Sequence, residues 1–224
     1  MAIGSLKKAN LLISLLKDRP IEVYDRLHMQ VRDFWQFYRT PKSVPVNQKC
    51  SWPDILAGVS ATVGDRLQEF VAEPALHQIQ DQVRRRMKEM LSDPPFTLTF
   101  NGDRRLAELC YLACRAMKPS IVVETGVAYG VISAYILQAL QLNGRGTLHS
   151  IDLSPLSVAS KKNEHFIGIL IPEHLKRRWE LHRGVSKRIL PRVLAKVEAV
   201  DIACLDSRSS YKVKYGDLSI LAGC

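Results

Sequence analysis

Residues 121–152 have the sequence IVVETGVAYGVISAYILQALQLNGRGTLHSID, and this stretch decides the fold. The β-branched run at 121–123 predicts a buried parallel strand, and the apolar pattern over 131–142 predicts a helix that ends at Gly144. Residues 147–152 predict a second strand. Strand, helix and strand in this order make a βαβ unit, in which ligands bind beyond the carboxyl ends of the strands.

The same alternation continues after this unit. We expect a helix over 154–166, a strand over 179–182, a helix over 186–197 and a strand over 200–206. Four strands with intervening helices predict an α/β fold, a Rossmann-like, doubly wound and mostly parallel sheet.

The first hundred residues lack this alternation of strands and helices, because prolines divide them into short helical and irregular segments. These prolines are Pro20, Pro41, Pro45, Pro53, Pro74, Pro94 and Pro95. Apolar residues at helical spacing on either side of Pro74 predict one or two amphipathic helices. We therefore divide the chain into a helical and irregular N-terminal extension, residues 1–100, and a Rossmann-like domain, residues 101–224.

The turn after the first strand, residues 124–130, carries the chemistry. Gly126 and Gly130, with the small Ala128 between them, let the backbone turn tightly and approach a ligand. A dinucleotide site requires G-x-G-x-x-G, and Ala128 stands at the second glycine position of that pattern. The pattern suits a cofactor without a pyrophosphate but with an amino-acid end, whose ammonium Glu124 can hold directly or through water.

The second predicted strand also ends in an acid, Asp152, which lies 28 residues after Glu124. A carboxylate at this position can accept both hydroxyls of a ribose. Alternatively, Asp152 caps the following helix, as Ser154 could also do. An acid at both strand ends around a glycine turn favours a nucleoside cofactor.

These residues resemble the class I S-adenosylmethionine-dependent methyltransferases, through the turn at 124–130 and the acidic end of LHSID, residues 148–152. Residues 200–211, VDIACLDSRSSY, are similar to the fourth-strand turn of bacterial small-molecule and sugar O-methyltransferases, where D-S-x-H-x-Y is common. The resemblance implies S-adenosylmethionine as cofactor and O-methylation of a small molecule or sugar.

The resemblance also implies the site residues. The cofactor would be surrounded by Glu124, Gly126, Ala128, Gly130, Asp152, Leu153, Gly184, Val185, Ser186 and Asp206. In this assignment Glu124 and the turn surround the methionine and ribose parts, and residues 184–186 surround the adenine. Asp206 would face the transferred methyl group and is the catalytic candidate. We rank a role in positioning the cofactor or acceptor above a role in accepting the hydroxyl proton.

Two departures from the family pattern stand beside these matches. Val185 holds the position of an acid that commonly contacts the adenine amino group, so that only the backbone or Ser186 could substitute. Ser209 holds the histidine position of the D-S-x-H-x-Y turn, so any metal or general-base role there is lost. The residues thus give little support for a divalent metal, and Asp206 alone remains.

Only 18 residues follow Asp206, whereas the family sheet has seven strands. We expect a C-terminally truncated chain whose uncovered sheet edge could pair with another copy or a partner. The leading alternative to an enzyme is a truncated, non-catalytic chain that acts as an interaction or cofactor-binding module.

Charge and cysteine content set the remaining expectations. Lys and Arg number 32 against 22 Asp and Glu, a net charge of +10 that attracts anionic partners, and a nucleic-acid acceptor ranks below a small molecule. Five cysteines, an odd number, indicate buried free thiols in a reducing compartment, and no stretch approaches the ~20 apolar residues of a membrane span. We place the chain in the cytoplasm, and we expect His149 and His182, near strand ends, to be structural.

Overall fold

The computed structural model describes residues 10, 12–39, 50–64, 67–90, 94, 96, 102–153, 165–206 and 211–222. The strands are β1 (Ile121–Thr125), β2 (Thr147–Asp152), β3 (Trp179–Arg183) and β4 (Ile202–Leu205). The helices are α1 (Pro20–Arg39), α2 (Trp52–Val63), α3 (Leu67–Val71), α4 (Pro74–Met90), α5 (Arg104–Met117), α6 (Val131–Asn143), α7 (Ser186–Leu194) and α8 (Tyr211–Ala222). A 3₁₀ helix covers Glu173–Arg178, and residues 12–18 are also helical.

The four strands form one parallel sheet in the order β3-β2-β1-β4. Glu124 on β1 is in register with Ser150 on β2 and with Cys204 on β4. This arrangement confirms the predicted α/β sheet with a helical N-terminal extension. Because β1 lies between β2 and β4, the carboxyl ends of these three strands meet at one edge of the sheet.

Helices cover both faces of the sheet. Helix α5 begins at Asp103, whose side chain accepts hydrogen bonds from the backbone N–H groups of Arg105 and Leu106, and it packs along α6. Helix α6 is buried along most of its length because the sheet, α5 and α4 surround it. On the opposite face, α7 buries Ile189, Leu190 and Val193 against β1 and β2.

The helices between residues 52 and 90 belong to the main hydrophobic core. Leu67, Phe70 and Ile79 are buried in the same cluster as Ile136 of α6 and Leu148 of β2. The N-terminal extension is thus continuous with the sheet's core from α2 onward. By contrast, α1 contacts the sheet domain through ion pairs, buries Val23 in a separate small cluster with Leu15, and leaves several large apolar residues exposed: Ile21, Tyr24, Leu27 and Val31.

Two boundaries differ from the sequence predictions. Helix α7 ends at Leu194 rather than at 197, because the backbone hydrogen bonds beyond it span three residues instead of four: Lys196 donates to Val193, and Val197 donates to Leu194. Strand β4 covers only Ile202–Leu205 rather than residues 200–206. Helix α8 runs through Gly216, since one glycine costs a helix only ~1 kcal/mol. The helix predicted over 154–166 lies almost wholly outside the described residues, as does the turn at 207–210. Among the helices that the structure describes, we find none with the length and apolarity to cross a bilayer.

Candidate functional site

The carboxyl edge of the sheet brings three predicted site residues together. Glu124 is the next-to-last residue of β1, Asp152 is the last of β2, and Asp206 follows β4 directly. The backbone N–H of Asp206 donates to the carbonyl oxygen of Thr125 at 3.0 Å, which ties the end of β4 to the end of β1. Three carboxyl groups from three neighbouring strands therefore lie at one edge.

Glu124 is fully buried at this edge. Its Oε2 accepts hydrogen bonds from the Ser133 and Ser150 hydroxyls, both at 2.7 Å, and the Trp179 indole N–H in turn donates to Ser150 at 2.9 Å. Its other oxygen, Oε1, is buried without a hydrogen-bond partner among the described residues. The serines thus hold Oε2, whereas Oε1 could accept a hydrogen bond from a donor outside the described residues.

The pKa of Glu124 is raised from 4.5 to about 7, mainly by burial and to a smaller extent by the neighbouring charges of Asp152 and Asp206. The two serine hydroxyls act in the opposite direction, because they stabilise the ionised form. A cation placed at this edge would relieve the crowding of negative charge and lower the pKa again.

The turn between β1 and α6 folds through three left-handed residues. The φ angles are 91° at Gly126, 48° at Ala128 and 87° at Gly130. Glycine adopts this conformation without steric cost, whereas alanine at 128 does so with strain. Helix α6 then begins without a side-chain cap, so its first turn offers backbone N–H groups at the site edge.

Gly130 is also required by close packing. A Cβ atom at this position would lie 2.8 Å from the Cα of Gly168. The segment around Gly168 is joined to the turn by two backbone hydrogen bonds, in which Gly168 and Leu170 donate to the carbonyl oxygens of Ala128 and Tyr129, both at 3.0 Å. The segment around Gly168 therefore packs against one side of the turn and supports it.

Asp152 holds the turn in place. Its Oδ2 accepts hydrogen bonds from the backbone N–H groups of Val127 at 2.7 Å and Ala128 at 3.1 Å. The sequence alternatives for Asp152 were a ribose contact or a cap for the following helix, and the structure adds a third role, anchoring the glycine turn. One oxygen of the carboxylate is thereby engaged in positioning the backbone next to which a ligand would lie.

The residues expected around adenine follow β3. The backbone N–H of Gly184 donates to the Asp152 carbonyl at 3.0 Å, so this loop is fixed to the end of β2. Val185 precedes α7, and the hydroxyl of Ser186 donates to the buried Asp217 at 2.7 Å. The Ser186 side chain is therefore directed to α8 rather than to a base. The Gly184 N–H and the Val185 carbonyl are also engaged within the chain, so a polar contact to a base from 184–185 would come from the Gly184 carbonyl or the Val185 N–H.

An ion pair from α1 reaches this same loop, and the sequence analysis did not identify it. Arg188 Nε lies 3.0 Å from Oδ2 and 3.2 Å from Oδ1 of Asp25, which is buried. A Cβ on Gly184 would lie 2.6 Å from Nη2 of Arg188, so this guanidinium lies over the glycine. Next to it, Glu22 lies 3.6 Å from Arg183, the last residue of β3. No local sequence signal links residues that are 163 positions apart.

The other predicted positions are placed as follows. Leu153 follows β2 directly and is partly exposed at the edge of the site. A Cβ on Gly102 would lie 3.2 Å from Oδ2 of Asp206, so the start of α5 approaches this carboxylate. Within the described residues, the group of side chains spaced to hold a metal ion is found elsewhere, on β2 and β3, and does not include Asp206.

Residues 123–222 match the family model described as a methyltransferase domain. This part of the chain is methyltransferase-like. The match begins within β1 and includes the glycine turn and the three carboxyl groups. A comparison with curated proteins gives no match.

Solved methyltransferases are similar to the chain at low sequence identity. The O-methyltransferase TomG from Streptomyces achromogenes, in complex with S-adenosylmethionine, is 16% identical over 77% of this chain and 67% of its own, with a TM-score of 0.45. The S-adenosylhomocysteine-bound methyltransferase PaMTH1 of Podospora anserina is 16% identical over 82% of this chain and 68% of its own, with a TM-score of 0.44. An O-methyltransferase from Bacillus cereus, bound to S-adenosylhomocysteine, is 13% identical over 69% and 60%, with a TM-score of 0.41. The chain thus spans 60% to 68% of the length of these three proteins.

Proposed function

We propose that this chain is an S-adenosylmethionine-dependent methyltransferase whose cofactor binds across the carboxyl ends of β1 and β2. The observation that carries the proposal is the buried Glu124, one of whose oxygens has no partner among the described residues, beside two further carboxyl groups and a left-handed turn. An unpartnered buried carboxylate oxygen is costly unless a ligand satisfies it.

The carboxyl groups and the glycine turn at this edge fit the methionine and ribose parts of this cofactor. The cofactor carries an ammonium group and a sulfonium centre, and a cluster of three carboxyl groups with the pKa of Glu124 raised to about 7 is a favourable environment for positive charge. The turn at 126–130 presents backbone rather than bulky side chains, because its three left-handed residues are glycine or alanine. Near the expected position of the adenine, the Arg188 guanidinium lies over Gly184 and reduces the space for a ligand. We therefore expect the backbone at 184–185 to make the polar contacts with the adenine.

Each carboxyl group then has a separate role. Glu124 holds the ammonium through the oxygen that the serines leave unengaged. Asp152 fixes the turn through one oxygen and accepts ribose hydroxyls with the other side of the carboxylate. Asp206, at the end of β4, positions the acceptor or receives its proton.

When bound, the cofactor supplies a methyl group on a positively charged sulfur, ready for displacement by a nucleophilic oxygen. The chain's contribution is orientation and exclusion of water rather than side-chain chemistry, and the buried edge around Glu124 serves this purpose. We propose a small molecule or sugar hydroxyl as acceptor, in line with the fourth-strand resemblance. The division at residue 100 and the cytoplasmic location stay predictions, the second supported by the free buried thiols of Cys110, Cys114 and Cys204.

Calorimetric titration with S-adenosylmethionine and S-adenosylhomocysteine tests the proposal, with Asp152→Asn as the variant. Asparagine keeps an oxygen for the turn's N–H groups but removes the charge that strengthens ribose contacts, so we expect affinity to fall by about 10- to 100-fold. The matched control is Asp201→Asn at the opposite edge of the sheet. Asp201 likewise accepts two backbone N–H groups, those of Ser120 and Ile121, through one oxygen.

Binding by the wild type and by Asp201→Asn, with a selective loss in Asp152→Asn, is the expected pattern. Absence of heat from either ligand with the wild-type chain, or equal affinities of the two variants, would contradict the cofactor assignment. Formation of S-adenosylhomocysteine with a panel of hydroxylated small molecules then separates an active enzyme from a chain that only binds the cofactor.

A further inference from the structure

Two histidines and a glutamate meet on β2 and β3, away from the three carboxyl groups. His149 on β2 is in register with Glu180 on β3, and Ile151 is in register with His182. Because side chains alternate along a strand, His149, Glu180 and His182 lie on the sheet face that also carries Ile151 and is covered by α7. Glu124 and Ser150 lie on the opposite face. The cluster is therefore separate from the candidate cofactor site.

The distances between the three candidate ligand atoms are close to those of a tetrahedral metal site. His149 Nδ1 lies 3.2 Å from His182 Nε2 and 3.3 Å from Glu180 Oε2, and His182 Nε2 lies 3.9 Å from the same oxygen. Metal-to-nitrogen bonds of ~2.0–2.1 Å at tetrahedral angles place neighbouring ligand atoms roughly 3.3 Å apart. Two of the three separations agree with this value, and the third requires only a small rotation of a glutamate that is 59% exposed.

We propose that His149, Glu180 and His182 form a binding site for a divalent transition metal ion of the zinc class, with three protein ligands and one position open to water. Two imidazole nitrogens favour zinc, cobalt and nickel, which also accept a carboxylate oxygen, whereas magnesium and calcium prefer oxygen ligands alone. The rigid strands fix the two histidines, and the exposed glutamate completes the site from the solvent side.

The site would join β2 to β3, which is an edge strand of the described sheet. An ion that binds the folded chain but not the unfolded chain stabilises it by mass action, so zinc should raise the melting temperature by an amount that grows with the logarithm of the zinc concentration over the dissociation constant. The edge strand would also be less exposed to pairing with other chains.

The test titrates zinc into the tag-free, metal-stripped full chain by calorimetry, beside the variants His182→Ala and Glu180→Gln. The control is His174→Ala, which removes an exposed histidine on the 3₁₀ helix and leaves the cluster intact. We expect one tight zinc equivalent in the wild type and in the control, and at least about tenfold weaker binding in both cluster variants. The visible spectrum of the cobalt-loaded chain should show nitrogen and oxygen ligation without thiolate bands, which excludes the cysteines as the source of binding.

Equal zinc affinity in His182→Ala and the wild type would overturn the proposal, as would a wild-type dissociation constant weaker than about 100 µM. Either result would mean that His149 and His182 form a hydrogen-bonded pair and not a metal site. If His182→Ala fails to fold, Glu180→Gln decides the question, because its side chain is exposed and its loss should not affect packing. The outcome does not depend on whether the chain binds S-adenosylmethionine.

Discussion

Replacing Glu124 with glutamine should remove a large part of the pH dependence of the chain's stability. The pKa of Glu124 is raised from 4.5 to about 7, mainly by burial, so the folded chain favours the neutral carboxyl group. Each pKa unit corresponds to ~1.4 kcal/mol, which gives about 3 kcal/mol for this one group. Because the folded pKa lies above the unfolded one, this stabilisation is complete below pH 4.5 and is lost as the pH rises through about 7.

Glu124→Gln has no proton to lose, and its side-chain oxygen can still accept the hydrogen bonds of Ser133 and Ser150. The free energy of unfolding of the variant, minus that of the wild type, should therefore rise by roughly 2–3 kcal/mol between pH 5 and pH 8. Urea unfolding of both proteins at several pH values measures this difference, and the other titrating groups largely cancel because the two chains share them. A difference that stays constant across this range would refute the burial of an ionisable carboxyl group at this position.

Three further predictions concern the turn and the core. Ala128→Gly should stabilise the chain by about 0.5–1 kcal/mol, because relief of the left-handed strain exceeds the entropy cost of glycine, as measured by urea unfolding. Gly130→Ala should destabilise it by roughly 2–4 kcal/mol, seen as a lower melting temperature, since its Cβ would collide with Gly168, and an unchanged melting temperature would contradict that packing. Arg115→Ala should cost roughly 2–3 kcal/mol at pH 7, because Arg115 binds both oxygens of Glu73 and is the main reason that the pKa of Glu73 is lowered. That cost should shrink as the pH falls through the lowered pKa of Glu73, and a cost independent of pH in unfolding experiments would argue against the pair.

The sheet and its functional edge could be predicted from sequence because their signals are local. The β-branched run at 121–123 and the segment 147–152 form strands where predicted, and the carboxyl ends of adjacent parallel strands must meet. Glu124, Asp152 and Asp206 could therefore be expected at one edge without knowledge of any long-range contact.

Other features depend on three-dimensional detail that the sequence does not contain. The anchoring of the turn by Asp152 accompanies a left-handed φ at Ala128, a conformation that an alanine rarely adopts. The approach of Asp25 to Arg188 depends on where α1 lies, which no short-range pattern determines. The meeting of His149 and His182 depends on strand register, because a shift of one residue would send one of them to the other face.

The most direct test of the central claim is a crystal structure of the chain with S-adenosylhomocysteine. The adenosyl group is expected at the carboxyl ends of β1 and β2, with a ribose hydroxyl within hydrogen-bonding distance of Asp152 and the ammonium facing Glu124. Density for the ligand at another place, or an Asp152 carboxylate directed away from it, would contradict the assignment.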